Sequence, residues 1–232
     1  LLLAAAALLL QAPAQAQSKK DTLVMAMQLE PTPGLDPTAG AASSIAEVSL
    51  YNIFETLTKI NSDSRITPLL AESWTVSPDL KTYTFKLRQG VKFQNGEPFN
   101  ASTVKFSFER AVAKDSVNKD KAVFNNFAAI ETPDANTVVL QLKNGSIDLP
   151  FQLGQGTAII VEPKSAATNG TQPVGTGPYK LEAWNKGSSV VLSRWDGYRS
   201  ATDVRWRWMT MRRISDVSAQ VAALLSGDVD AF

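Results

Sequence analysis

Thr82-Tyr83-Thr84-Phe85-Lys86-Leu87-Arg88 alternates without a break: Tyr83, Phe85 and Leu87 point one way, and Thr82, Thr84, Lys86 and Arg88 the other. A period of two with one apolar side predicts a β-strand that lies on a core and shows its other face to water. Val91-Lys92-Phe93 carries the alternation on, and Asn95-Gly96 then supplies a dipeptide suited to a tight turn. Beyond it, Asn100 is placed to cap a helix whose Val104, Phe108 and Val112 recur every four residues. A second alternation, Val138, Leu140 and Leu142, follows the turn residues Pro133-Asp134-Ala135-Asn136. Hairpins interleaved with separate helices predict an α/β fold with mixed, α+β character.

Working outward, Leu23–Met27 reads as a short buried strand, and Glu30–Pro37 as a loop enforced by three prolines and a glycine. Ser44-Ile45-Ala46-Glu47 has the spacing of a capping box and predicts a helix from there to about Leu57. Downstream, Tyr179, Leu181 and Ala183 predict a strand, paired as a hairpin with Val190–Leu192 across Asn185-Lys186-Gly187-Ser188. A last helix carries Val217, Val221, Leu224 and Leu225 on one stripe and stops at Gly227. Asp228–Phe232 then reads as a turn feeding a further strand, as in a chain that continues.

The chain has 232 residues, with 23 Lys+Arg against 22 Asp+Glu, hence a formal net charge of +1. A chain of this length buries roughly 70% of its unfolded surface, enough for one large domain or two smaller ones. With 44% hydrophobic and 19% charged residues the composition is that of a folded protein, not a disordered one. There is no Cys and no His. Thiol nucleophiles, disulfides, Cys-ligated metal centres and any Ser-His-Asp triad are therefore excluded. The near-neutral charge also lacks the footprint of a general nucleic-acid binder. Neither a cofactor nor a resident metal is expected.

Leu1–Leu10 reads LLLAAAALLL and leads to Ala14-Gln15-Ala16, small residues in the A-x-A spacing of a cleavage site. This predicts an export leader over residues 1–16, itself lacking its basic start. The run falls short of the about 20 apolar residues that a membrane span needs. Without a Cys after it no lipid anchor is available, so the expected location is free in a periplasm-like space.

Several short patterns carry chemistry on paper. Ser116-Val117-Asn118-Lys119 fits the S-x-x-K of penicillin-recognising serine enzymes, but it lies in a polar stretch without the companion motifs, so a surface loop is favoured. Val204-Arg205-Trp206-Arg207-Trp208 alternates cations with aromatics; a strand with a Trp face and an Arg face explains it better than single-strand nucleic-acid binding. Asn100-Ala101-Ser102, Asn144-Gly145-Ser146 and Asn169-Gly170-Thr171 fit glycosylation sequons and carry little weight. Gly175-Thr176-Gly177-Pro178-Tyr179 lets the backbone approach a neighbour closely, either a ligand or another segment.

Leu70–Asp79 (LAESWTVSPD) and Tyr83–Phe99 (YTFKLRQGVKFQNGEPF) resemble the signature of the family 5 extracytoplasmic solute-binding proteins, receptors of dipeptide, oligopeptide and nickel ABC importers. Leu35-Asp36-Pro37, Phe54-Glu55-Thr56-Leu57, Val104–Arg110, Gly175–Tyr179 and Val221–Asp230 match in the same order. Gln94-Asn95 stands where relatives often carry His-Asp, and Arg194–Arg199 replaces an asparagine-proline turn.

The resemblance implies one lobe of a two-lobed clam-shell, with an extra subdomain and with lobe II absent. Residues 17–53 and 164–232 would form lobe I, and 54–163 the extra subdomain. It implies a periplasmic receptor, monomeric and without catalysis, that closes on a small solute, a short peptide first among the candidates, and delivers it to an ABC permease. Carried over by position, the ligand residues would be Gly40, Ala41, Ala42 and Ser43 in a lobe I loop, Phe124 and Asn125 at the cleft edge, and Gly175, Thr176 and Gly177 near the hinge. Nickel, haem, opines and oligosaccharides have carriers of similar design. The rival readings are an exported serine hydrolase built on Ser116 and Lys119, and a scaffold module without a ligand.

Overall fold

The computed structural model describes residues 20–40 and 42–232; the leader expected over residues 1–16 lies outside them. The first part of the chain gives β1 (Thr22–Met27), α1 (Ser43–Ser49), β2 (Thr58–Ile60), β3 (Ile66–Pro68), β4 (Ala71–Val76), β5 (Thr82–Leu87) and α2 (Ala101–Ala111). The rest gives α3 (Lys121–Asn125), β6 (Phe127–Asp134), β7 (Thr137–Leu142), α4 (Leu149–Gln152), β8 (Tyr179–Asn185), β9 (Ser189–Arg194), β10 (Trp208–Arg213) and α5 (Val217–Ser226). Two four-stranded sheets organise them, ordered β1-β10-β9-β8 and β4-β5-β7-β6, beside a small β2-β3 hairpin.

The alternation at Thr82–Leu87 buries Tyr83, Phe85 and Leu87 as the period requires. β5 pairs antiparallel with β4 and β7, setting Tyr83 opposite Leu140 and Phe85 opposite Val138. The strand ends at Leu87 and does not run on through Val91-Lys92-Phe93, because the backbone turns at Gly90 (φ 71°). Val91 and Phe93 still point inward, held by a single bridge between Lys92 and Pro98. Asn95-Gly96 makes the expected turn, with Gly96 N–H donating to the Phe93 carbonyl at 2.8 Å. Asn100 caps α2: its side chain accepts from the N–H groups of Ser102 and Thr103, while the Thr103 hydroxyl returns to the Asn100 N–H. Val104 and Phe108 face the core from this helix, and Phe108, Phe124 and Phe127 pack ring against ring with centroids 5.4–5.8 Å apart.

The second sheet is mixed. β1 runs parallel to β10, which pairs antiparallel with β9, and β9 with β8 in the expected hairpin. Its core joins Met27, Val48, Ile53, Phe54, Val190, Leu192, Met209 and Met211. Of the alternation at 204–208, Arg205 and Arg207 are exposed and Trp206 and Trp208 half-buried, although the regular strand begins only at Trp208. The other core, around Tyr83, Phe85, Val104, Phe108 and Leu140, lies between residues 57 and 160.

Two helices depart from expectation. α1 starts after Ala42, without a side-chain cap. Ser44 is buried and gives its hydroxyl to the Glu30 carbonyl at 3.0 Å, so the tertiary contact takes the group that a capping box would use. The helix stops at Ser49 and does not reach Leu57, because Tyr51 adopts a left-handed conformation (φ 61°). The Asn52 carboxamide then donates to the Val48 carbonyl at 3.1 Å, occupying one of the helix's last acceptors. α5 stops at Gly227, whose φ of 80° gives the left-handed cap. Its stripe is turned outward: Val217, Val221, Leu224 and Leu225 are exposed, and Gln220 is the buried residue of the helix, donating to the Ile214 carbonyl. Among the described residues, no element covers this face. Asp230 and Ala231 continue beside β1, Ala231 forming a parallel bridge with Met25.

A buried carboxylate joins the two cores. Glu55, 1% exposed, accepts two charge-assisted bonds from Arg199 at 2.6 and 2.7 Å, one from the Thr176 hydroxyl at 2.9 Å and one from the Tyr198 phenol at 3.2 Å. Burial, reinforced by the Glu55 charge, pushes the Tyr198 phenol up to about 12. Burial also raises the phenols of Tyr51, Tyr83 and Tyr179.

Two outcomes follow from this packing. Phe108→Ala should cost about 3–5 kcal/mol in urea unfolding, whereas Leu225→Ala, at a position 83% exposed, should leave the midpoint within the scatter of surface substitutions. The folded state holds the Tyr198 proton more tightly than the unfolded chain, so this group's contribution to stability is full below pH 10 and is lost as pH rises towards about 12. In an ultraviolet phenolate titration, Tyr198→Phe should remove the last component to ionise.

Candidate functional site

The loop between β1 and α1 is fixed from the neighbouring core. Asp36, almost fully buried, accepts from the N–H of Thr38 at 2.9 Å and its hydroxyl at 2.6 Å. Arg110, on the last turn of α2, reaches across to Asp36 at 2.6 Å and also bonds the Thr38 hydroxyl. Leu35-Asp36-Pro37 is thereby clamped just ahead of Gly40. A Cβ at Gly40 would collide with the Ile45 side chain and with Pro33, so only glycine lets the loop lie this close.

Gly40, Ala42 and Ser43 line one side of a concavity of about 100 Å³ where the two cores meet. Lys119, Asp120 and Gln155 face them from the other side, together with Thr157. That far wall is rigid. The Thr157 hydroxyl donates to Asp120 at 2.7 Å, and buried Asn118 ties the Thr157 carbonyl (3.1 Å) to the Asp120 N–H (2.8 Å). The lining pairs one cation with one anion, both partly open to water, and the volume admits the edge of a ligand and not a whole one. Ala41 lies outside the described residues.

The remaining expected ligand residues are placed elsewhere. Phe124 is 3% exposed and belongs to the aromatic core against Phe108 and Phe127, so its ring is not at a cleft edge; packing of α3 onto α2 explains the difference. Asn125, one residue on, is exposed and lines a separate, open concavity of about 520 Å³ with Asn126, Lys143, Asn144 and Gln152. Gly175, Thr176 and Gly177 form a packed crossing. A Cβ on either glycine would strike the backbone at Asn52–Phe54, Gly177 N–H donates to the Ile53 carbonyl at 2.9 Å, and Gln94 donates to the carbonyls of Gly177 and Tyr179. Thr176 is spent on Glu55. Of the two roles left open for this stretch, close approach of one segment to another is the one its contacts describe.

The Ser116 hydroxyl donates to the Ala111 carbonyl at 2.8 Å and accepts from Asn118 N–H, an arrangement that closes a turn and bonds no lysine. Of the sequons, Asn100 is engaged as the α2 cap and Asn169 is fully buried. Sequence reasoning missed Asn118, Asp120 and Thr157. The alternating Ser116-x-Asn118-x-Asp120, in which Ser116 and Asn118 each accept from the backbone N–H two residues on, is the signal that marks them as a built turn. Among the described residues, no group of three or more acidic, His or Cys side chains is placed to hold a metal, and no helix is long and apolar enough to cross a membrane.

The family description "Bacterial extracellular solute-binding proteins, family 5 Middle" matches residues 65–232. The glutathione-binding protein GsiB of Salmonella typhi is 33% identical over 198 residues, which cover 84% of this chain and 38% of that protein. The binding protein AgaA from A. tumefacien R10, solved with agropinic acid, superposes with a TM-score of 0.81 at 33% identity over 90% of this chain and 43% of that one. The periplasmic binding protein DppA from Helicobacter pylori, solved with the peptide STSA, gives 0.80 at 27% identity over 90% and 45%. This chain thus spans less than half the length of these relatives. The family match over most of the chain, the identity to GsiB and the superposition on AgaA agree: the chain belongs to the family 5 bacterial extracellular solute-binding proteins.

Proposed function

We propose that this chain forms one side of a periplasmic receptor that grips a small solute, a short peptide first, and hands it to an ABC import permease without transforming it. The observation that carries the reading is the concavity at Gly40, Ala42 and Ser43, a rigid wall open on one side, in a chain of this family. In the proposed organisation, residues 17–53 and 164–232 form lobe I, 54–163 the extra subdomain, and a second lobe completes the cleft. The separate core lying between residues 57 and 160 supports the division. So does the outward apolar stripe of α5, a surface of the kind that further polypeptide covers.

Closure about a hinge would let contacts from both lobes stabilise the bound state. Micromolar affinity corresponds to about −8 kcal/mol net of the cost of immobilising ligand and lobes, more than a wall of this size provides. A peptide ligand is supported by the peptide in DppA and by the name of GsiB; the agropinic acid in AgaA, at equal identity to GsiB, favours an opine as the second reading. The leader expected over residues 1–16 supports export to the periplasm.

Calorimetric titration of this chain with a pool of di- and tripeptides that includes glutathione should show no saturable micromolar binding, and the polypeptide extended by a second lobe should show it. Saturable binding by this chain alone would sink the one-wall reading. Failure of the extended polypeptide to bind peptides or opines would sink the receptor reading.

A further inference from the structure

The sequence holds Asn-Gly at 95–96, 144–145 and 169–170, and none of these pairs is absorbed by the solute-binding reading. An asparagine followed by glycine is open to one uncatalysed reaction, since no Cβ shields the backbone nitrogen of the following residue from the carboxamide carbon. The reaction needs water, a carboxamide free to turn and an N–H not already held. The three pairs differ in all three respects.

Asn169 is fully buried, and its Oδ1 accepts from Val174 N–H. Asn95 is exposed but fixed at both ends of its carboxamide: Nδ2 donates to Glu162 at 3.2 Å and Oδ1 accepts from Glu97 N–H at 3.2 Å. The Gly96 N–H is engaged in the turn with Phe93. Asn144 and Gly145 are both exposed. The Asn144 side chain makes only a 3.5 Å contact with Asn126 Oδ1, and among the described residues Gly145 N–H has no hydrogen-bond partner.

We propose that Asn144 is a self-modifying site, the one of the three that deamidates in the folded protein. The deprotonated Gly145 nitrogen forms a bond to Asn144 Cγ, the Cγ–Nδ2 bond breaks and ammonia leaves. Water then opens the five-membered imide at either carbonyl, giving aspartate or isoaspartate. Nothing beyond water is consumed.

The product is not silent. Asn126 holds the backbone of residue 144 from both sides, accepting from its N–H at 3.0 Å and donating to its carbonyl at 2.9 Å. A carboxylate at 144 faces Asn126 Oδ1, acceptor against acceptor, and the isoaspartate adds a methylene inside that clamp. The concavity lined by Asn125, Asn126 and Asn144 gains a negative charge, and the formal net charge of the chain falls from +1 to zero.

The test is to incubate the whole chain at 37 °C and mildly alkaline pH and follow it by isoelectric focusing and peptide mapping. An acidic form should accumulate whose mass gain, NH2 replaced by OH, maps to Asn144, several-fold faster than at Asn95 or Asn169, and which takes up heavy oxygen from labelled water. Asn144→Gln should abolish the acidic form and Asn95→Gln should leave it. In concentrated urea the three pairs should convert at similar rates. Conversion led by Asn95 or Asn169 in the folded chain overturns the proposal. So does an unmodified Asn144 over a time in which a free peptide spanning Leu142–Asp148 converts fully.

Discussion

Glu55 stands where three separate stretches of chain meet: the entry into the core between residues 57 and 160, the return crossing at Thr176, and the connection after β9 that carries Tyr198 and Arg199. A carboxylate this deeply buried is costly unless every lone pair is used, and here four donors use them. Such a pair adds less net stability than its distances suggest, because desolvation offsets much of the attraction. Removing one partner alone nevertheless costs about 3–5 kcal/mol. The knot therefore acts as a register device: it fixes which backbone lies against Asn52–Phe54, and the glycines at 175 and 177 allow that approach.

The clamp of Arg110 on Asp36 and Thr38 has the same logic at the other end of the interface. In both cases a cation or a carboxylate on one core settles the path of a loop belonging to the other. The concavity at Gly40 inherits its rigidity from this arrangement: the near wall is held by α2, and the far wall by Asn118. A binding surface built from loops is only as well defined as the elements that pin it.

What the sequence made legible is what depends on neighbours along the chain. The period at Thr82–Leu87, the Asn100 cap, the 185–188 hairpin and the Gly227 stop are local rules, and the structure follows them. Ser44 had the right spacing for a cap, but a carbonyl at Glu30 competed for its hydroxyl, and periodicity carries no information about a partner fourteen residues away. The outward face of α5 was unreadable for a related reason: VSAQVAALLS holds no charge, so its apolar stripe says which face is oily and not whether the described chain covers it. Phe124 and Asn125, adjacent in sequence, separate into core and surface because successive residues of a helix point about 100° apart. The far wall at Asn118, Asp120 and Thr157 needed a contact between residues more than thirty-five apart.

The pairing of β1 with β10 joins the first strand of the described chain to its last. The other core, by contrast, draws its buried members from residues 57 to 160 alone. Loop closure sets an entropic barrier that grows with separation, and topologies with distant pairings fold slowly. The order of assembly follows. As the polypeptide emerges, the inner sheet can complete itself while β1 waits, an unpaired edge, for β10 to arrive. During that interval the Leu23–Met27 strand is the segment most open to mispairing and to capture by a holding chaperone.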